Sequence, residues 1–459
     1  MLSLPALNLH MHGTSFVGIR GFLLDPESPT RVKFLRDGAV LLHGDRIYDA
    51  GEFERLRALP EAAGVVWRYG TGCVIIPGLT DLHAHIPQYP AVGRMEDGLL
   101  PWLEKHIFPL ERNFSPAEAR KVAPLFFRDL AAAGTTRAVL FSSLHEESTD
   151  ACFAAARDSG LRAIIGKVMM DRGSYGSLPP EKILKTSLDE TRRLIRRWHG
   201  AENGRLAYAV SPRFAVTCTR EMMVAAGRLA QETGVFIQTH LSENLSEIRR
   251  VRELFPEETT YTGVYASCGL LGPRSIFAHC IHLTDDEWRM LADTGSRIAH
   301  CPTSNLFLRS GLFAAERACL EGISFGVGSD VAAGPELNLW AVLRSAIETQ
   351  TARSLLLPPG AFQGPRLSLA EWFYVATLGA AHALHDENET GSLTPGKAAD
   401  LVVIDLAALI PGGRTPHFDV DLRAEDVLSL LIHRGGPHAT LETRVAGRIV
   451  YTRPEPPLL

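Results

Sequence analysis

The sequence predicts an α/β protein: a (β/α)8 barrel of TIM type carrying a small β-sandwich built from both ends of the chain. Three observations carry this reading. Eight short, β-branched segments alternate with longer amphipathic ones between residues 77 and 390, an order that calls for a parallel sheet with helical crossovers. Eight is the number of strands that closes such a barrel. The flanks, 1–76 and 391–459, hold short strand-like runs with Gly and Asp turns and no long helices between them. Neither flank has enough core of its own, so the two are expected to pack together as one sandwich.

Along the chain, the first flank contributes TSFVGIRGFLL (14–24), GAVLLHGDRIYDAG (38–51) and a Gly-Thr-Gly turn. The barrel strands are then read in VIIPGLTDLHAH (74–85), TTRAVLFSS (135–143), RAIIGKVMMD (162–171) and RLAYAVSPRF (205–214). They continue in VFIQTHLSEN (235–244), SIFAHCIHL (275–283), SRIAHCPTSN (296–305) and ISFGVGSD (323–330). Helices are expected over 116–134 and 219–234, the second with Thr219 as N-cap and Gly234 as its stop. The stretch LPPGAFQGPR (357–366) reads as a loop, and GKAADLVVIDL with TRVAGRIVYTR supplies the second flank's strands.

Composition bounds the function. A chain of 459 residues suggests about three domains at ~100–200 residues each, and the strand pattern reduces these to two, because a barrel exceeds that size as one unit. With 46% hydrophobic and 22% charged residues the chain is ordinary globular material. A net charge of −5 with no basic tract argues against a nucleic-acid partner. The 7 cysteines are scattered with no C-x-x-C pair, which reads as a reduced, cytoplasmic chain. The opening MLSLPALNLHMHG lacks the regions of a signal peptide, and no run approaches the ~18 apolar residues of a membrane span, so no membrane partner is expected.

The chemistry gathers at strand ends. His83 and His85 close the first barrel strand two residues apart, so both imidazoles face the same side. A bare H-x-H is weak evidence, and this chain holds a decoy, His10 and His12, in what reads as a solvated arm. The case strengthens because His240 ends VFIQTH, His279 ends SIFAH and Asp330 ends FGVGSD. Barrel enzymes place their chemistry at C-terminal strand ends, and five ligand-type residues at four such ends converge. His83, His85, His240 and Asp330 suit one zinc with a position left for water; His279 either completes the coordination or hydrogen-bonds that water. Iron suits three imidazoles and a carboxylate equally. Glu243, three residues past His240, falls in a strand-end loop where it can act as general acid and base. Lys167 lies on the third strand and the fourth carries no lysine, which favours one metal over a lysine-bridged pair. His282, His300 and Cys301 read as core, and His106, His145, Glu146 and Glu147 as loop or rim residues.

These residues, with PGLTDLHAH, GVGSD and the tail GSLTPGKAADLVVID, resemble the amidohydrolase superfamily in its aminohydrolase branch, whose barrel is of the metal-dependent hydrolase type. HAHIPQYP, LLPWLEKHIFPLE, GKVMMDR, SPRF, THLSEN, FAHC and AHCPTSN are similar to the members of that branch that deaminate guanine. Ser329 departs from the Thr more usual before the metal Asp. The resemblance implies hydrolysis of guanine to xanthine and ammonia, with water attacking C2. Glu243 would pass the water's proton to N3, Asp330 would take the second proton to the leaving amine, and His279 would stabilise the attacking oxygen. It further implies that Arg213 contacts O6, that Gln88 reads the purine edge, and that Phe214 and Trp102 pack against the ring. A homodimer is implied too. A related aminohydrolase acting on 8-oxoguanine, a triazine or cytosine would keep the metal set but change Gln88 and Arg213, and a non-enzymatic scaffold would lose ligands, of which none is missing.

Overall fold

The computed structural model describes residues 16–173, 178–358, 364–413 and 422–454. His10 and His12, and residues 359–363 of the loop expected over 357–366, lie outside the described residues. The first flank forms β1 (Phe16–Ser28), β2 (Arg31–His43), β3 (Arg46–Glu52) and β4 (Trp67–Pro77). The barrel follows with β5 (Leu79–His85), β6 (Thr135–Phe141), β7 (Arg162–Gly166), a two-residue β8 (Val168–Met169) and β9 (Leu206–Pro212). It is completed by β10 (Phe236–Leu241), β11 (Ser275–His279), β12 (Arg297–His300) and β13 (Phe325–Val327). The second flank adds β14 (Leu401–Asp405), β15 (Thr440–Val445) and β16 (Arg448–Thr452).

Both termini build one seven-stranded sheet in the order β16-β15-β14-β4-β1-β2-β3. All its ladders are antiparallel except β1 with β4. Its β3 end closes onto the segment that leads into β14: Ile47 N donates to Lys397 O (2.9 Å) and Ala399 N to Asp45 O (2.9 Å). The apolar face enclosed in this way holds Ile19, Leu23, Val40, Leu42 and Ile75 from the first flank with Leu401 and Val403 from the second. Asp25 on β1 adds a buried link between them, its Oδ1 accepting from Leu393 N at 2.6 Å.

Eight parallel strands, β5, β6, β7 and β9 to β13, run side by side as a nearly closed barrel, with β8 pairing only β9. Between the last strand and the first, Asp330 N donates to His83 O at 2.8 Å. One side chain from each of seven strands, Leu82, Val139, Ile164, Ala209, Phe236, Ile276 and Ala299, forms an apolar floor with Ala380, Ala383 and Leu384. Strand alternation then grades the interior upward. On β10, Phe236 belongs to the floor, Gln238 to a polar layer where its Nε2 donates to Leu140 O and Ser211 Oγ (both 2.9 Å), and His240 to the mouth.

The structure subdivides three of the expected strands for identifiable reasons. VIIPGLTDLHAH breaks at Gly78, where the chain leaves the terminal sheet for the barrel. A Cβ there would lie 2.0 Å from Thr136 Oγ1, so only glycine fits. RAIIGKVMMD is interrupted at Lys167. SRIAHCPTSN ends as a strand at His300, because Pro302 opens the helix Pro302–Phe307 at its first position. The two helices read from the sequence are present as Pro116–Ala132 and Arg220–Thr233. Thr219 caps the latter through Met222 N, and Gly234 takes the left-handed conformation after it.

Candidate active site

The five ligand-type residues meet at the C-terminal mouth of the barrel, all buried. His85 Nε2 lies 3.2 Å from both His83 Nε2 and His240 Nε2. Asp330 Oδ1 lies 3.2 Å from His83 Nε2 and 3.4 Å from His85 Nε2, and Oδ2 lies 3.8 Å from His279 Nε2. Two overlapping metal-ligand groups follow, His83–His85–His240 and His83–His279–Asp330.

The donor set fits a metal ion. A tetrahedral ion bonded at ~2.0–2.1 Å to nitrogen holds its ligand atoms about 3.3 Å apart, close to the separations present. Burial lowers the pKa values of His83, His85 and His240, so the rings present neutral nitrogens, as ligation requires. Burial also works against a charged Asp330, yet the His83 and His279 rings outweigh it and hold the carboxyl well below its usual range. Outer contacts fix two of the rings. His240 Nδ1 donates to Arg213 O at 2.7 Å and His279 Nδ1 to Asn305 Oδ1 at 2.9 Å, leaving each Nε2 for the centre. Asp81 anchors the first strand, accepting from His83 N (3.0 Å), Ser329 N (3.1 Å) and Ser329 Oγ (2.5 Å).

His279 and Asp330 sit at φ 73° and 47°, left-handed values uncommon for these residue types. Simple strand alternation does not place His279 beside His240; the reversed φ at the end of β11 does. Such strain is held only where the surroundings over-determine it.

Glu243 lies in the loop between β10 and the helix Leu245–Leu254, clear of helical geometry. Its Oε2 is 3.5 Å from His279 Nε2, and its Oε1 accepts from Ser310 Oγ at 2.8 Å. Burial raises its pKa, which suits a group that must carry a proton. Burial opposes a charge on His279, but the carboxylates of Glu243 and Asp330 prevail and raise its pKa. The loop is fixed by Glu247, whose Oε2 accepts from Glu243 N (2.9 Å) and Asn244 N (3.1 Å) while Oε1 accepts from Tyr261 OH (2.7 Å).

Above this cluster lies a narrow cavity lined by Gln88, Trp102, Arg213, Phe214, Glu243 and Asp330, with Leu99, Leu103 and Leu308 as its apolar wall. Gln88 follows His85 in a short 3-10 turn, and Arg213 and Phe214 follow β9. Trp102 donates through Nε1 to Arg94 O at 2.8 Å, so it packs and is held at once. One residue behind the cavity's polar wall escaped the sequence reading. Glu111 is buried on a helical run, Leu99–Arg112, that widens into a π-helical turn at Leu103–Ile107. Its Oε1 accepts from Gln88 Nε2 at 2.9 Å and pairs with Arg213 Nη1 at 3.3 Å. The available signal was an acidic residue continuing the apolar stripe Leu103, Ile107. Asn305 and Ser310 were missed as well, because polar residues beyond strand ends carry no pattern.

Lys167 is drawn away from the centre: its Nζ contacts Leu144 O, Val168 O, Ser187 Oγ and Glu190 Oε2 at 3.1–3.4 Å. His282 and His145 are hydrogen-bonded to the Ser310 and Arg112 carbonyls, His106 lies 3.6 Å from Glu96, and His300 and Cys301 are buried. Glu146 pairs with Arg193 at 2.6 Å.

A parallel barrel with this histidine–aspartate cluster at its mouth defines a metal-dependent hydrolase, and the chain belongs to the amidohydrolase family, whose model matches residues 74–450. Within that family its likeness is to guanine deaminases. It is 38% identical over 450 residues to guanine deaminase of Escherichia coli, covering 96% of this chain and 97% of that protein. The solved E. coli guanine deaminase superposes with a TM-score of 0.86 at 36% identity, over 96% of this chain and 100% of that one. Guanine deaminase from C. acetobutylicum, solved with guanine bound in its active site, gives a TM-score of 0.85 at 29% identity, over 95% and 100%.

Proposed function

We propose that the protein hydrolyses guanine to xanthine and ammonia with one zinc per chain. The observation that carries this reading is the joining of the ligand cluster to a cavity whose polar wall is Gln88 and Arg213. The names of its relatives agree with it. His83, His85, His240 and Asp330 would hold the metal, with His279 as further ligand or as partner of the reacting oxygen. Bound there, zinc lowers the pKa of water from ~15.7 to ~7 and supplies hydroxide at neutral pH.

The chain's own groups supply the remainder. Arg213 donates to O6, Gln88 meets the adjacent edge, and Phe214 and Trp102 hold the ring plane, with C2 towards the cluster. Glu243 takes a proton from water and delivers it to N3, so negative charge does not build on the ring. Asp330 takes the second proton and hands it to the amino group, which leaves as ammonia. His279, with Nδ1 committed to Asn305, turns Nε2 to the reacting oxygen. The reading extends to a homodimer in the cytoplasm, testable by light scattering and cell fractionation. It extends also to the domain division at residues 76/77 and 390/391.

Metal analysis paired with a guanine-to-xanthine absorbance assay and ammonia release tests it. The expected result is about one zinc per chain and turnover of guanine; turnover of adenine or cytosine with none of guanine would overturn the substrate. Glu243→Gln is expected to keep its zinc and lose ~10²–10⁴-fold in kcat, and near-wild-type turnover with metal bound removes Glu243 from the proton path.

A further inference from the structure

We propose that Glu111 is the positioning residue that sets the polarity of substrate recognition, orienting the Gln88 amide and holding the Arg213 guanidinium so that an acceptor stands beside a fork of donors. This inference rests on the function proposed above. The three side chains are buried together and joined at one oxygen, Glu111 Oε1.

An ionised carboxylate only accepts hydrogen bonds. The end of Gln88 that faces Glu111 is therefore its NH2, and its carbonyl oxygen is turned to the cavity that Gln88 lines. Without that carboxylate the amide would be free to turn over, because its two ends are nearly the same shape. The guanidinium is held in the same way. Glu111 lies against one edge of Arg213 and the Phe108 ring stands 5.4 Å from its centre. Arg213 Nε has no hydrogen-bond partner among the described residues, and Nη1 has its ion pair with Glu111 alone. A buried guanidinium without a counter-charge is costly; paired with Glu111 it forms a neutral unit, suited to an uncharged ligand.

The pattern so fixed is directional. A cyclic amide edge, C=O beside N–H, places its oxygen on the arginine fork and its N–H on Gln88 Oε1. A cyclic amidine edge, with an amino group beside a bare ring nitrogen, presents the reverse at both positions. Sites built on buried hydrogen-bonding groups reject such mismatches strongly, because the groups are left unpaired. Selectivity for the 6-oxo over the 6-amino ring is thus assigned to a residue that need not touch the base.

The test compares zinc-loaded wild type with Glu111→Gln and Glu111→Asp. The readouts are kcat and KM for guanine, the Ki of 2,6-diaminopurine as competitor, and metal content. Glu111→Gln is nearly isosteric but can donate as well as accept, so Gln88 can turn. We expect kcat/KM for guanine to fall about 10- to 100-fold, mainly through KM, with zinc retained. The ratio of the diaminopurine Ki to the guanine KM should shrink at least tenfold. Glu111→Asp keeps the charge but withdraws it from the amide, and its ratio should fall between the two. If Glu111→Gln does not fold, Glu111→Asp decides alone: a ratio below wild type supports the assignment. A ratio equal to wild type in the folded variants overturns it, whether or not overall activity drops. A zinc-loaded wild type inactive on guanine would instead overturn the function proposed above.

Discussion

Ser310 shows how much of the site depends on residues outside the metal set. Its hydroxyl donates to Glu243 Oε1 at 2.8 Å, and its carbonyl receives His282 Nε2 at 2.6 Å. The hydroxyl therefore holds one carboxylate oxygen in place while the other faces His279. Hydrogen bonds to charged groups contribute ~1.5–3 kcal/mol. Ser310→Ala should accordingly lower kcat by roughly ten- to a hundredfold with metal content unchanged, as steady-state kinetics with metal analysis would reveal; an unaltered kcat would show that the bond does not pose Glu243. At this scale the sequence is legible only where residue type and strand end coincide. His83, His85, His240, His279 and Asp330 are ligand types at the termini of β-branched runs, so the pattern exposes them. Ser310, Asn305 and Glu111 act through tertiary contacts to residues 67, 26 and 23 positions away, and no local periodicity encodes such pairings.

Among the elements, the short loop between β10 and the helix Leu245–Leu254 controls where Glu243 sits. Asn244 caps that helix, and Glu247 at its third position completes a capping box. Here the box does more than end a helix, since Glu247 also takes the amide of Glu243 and the hydroxyl of Tyr261. Glu247→Ala would strand three donors, of which Glu243 N and Tyr261 OH are buried and cost ~1–3 kcal/mol each. The expected outcome is a lower Tm together with at least a tenfold loss of kcat, measured by thermal unfolding and the same assay; a drop in Tm with full kcat would confine Glu247 to stability. Strands and long helices are legible in the sequence because their periods repeat over several residues. The helical run Leu99–Arg112 is not, since its π-helical turn at Leu103–Ile107 breaks the 3.6-residue period. The reversed φ at His279 is equally invisible, because it interrupts alternation at a single residue.

For the molecule as a whole, Asp25 links stability to pH far from the active site. Burial is the main cause that raises its pKa to about 6 from 3.8, with the Leu393 amide opposing it. The folded value lies above the unfolded one, so between pH 4 and 6 the native state binds the additional proton. Its contribution is therefore most favourable below about pH 4 and is lost as pH rises through 6. Asp25→Asn keeps an oxygen for Leu393 N without the charge. Across pH 4 to 7 the wild type should lose up to ~3 kcal/mol relative to this variant, seen as a growing Tm gap in favour of Asp25→Asn; a gap constant with pH would contradict this. The seven-stranded sheet also bears on how the chain emerges from the ribosome. Antiparallel pairing of Leu401 with Pro77 joins residues roughly 320 positions apart, which synthesis at ~5–20 residues per second separates by ~15–65 s. Throughout that interval the open edge of β4 has no neighbour from the second flank, and by its end every barrel strand has been made. Premature termination before β14 would leave a bare, β-branched strand edge on an otherwise assembled barrel, a surface that invites pairing between nascent chains.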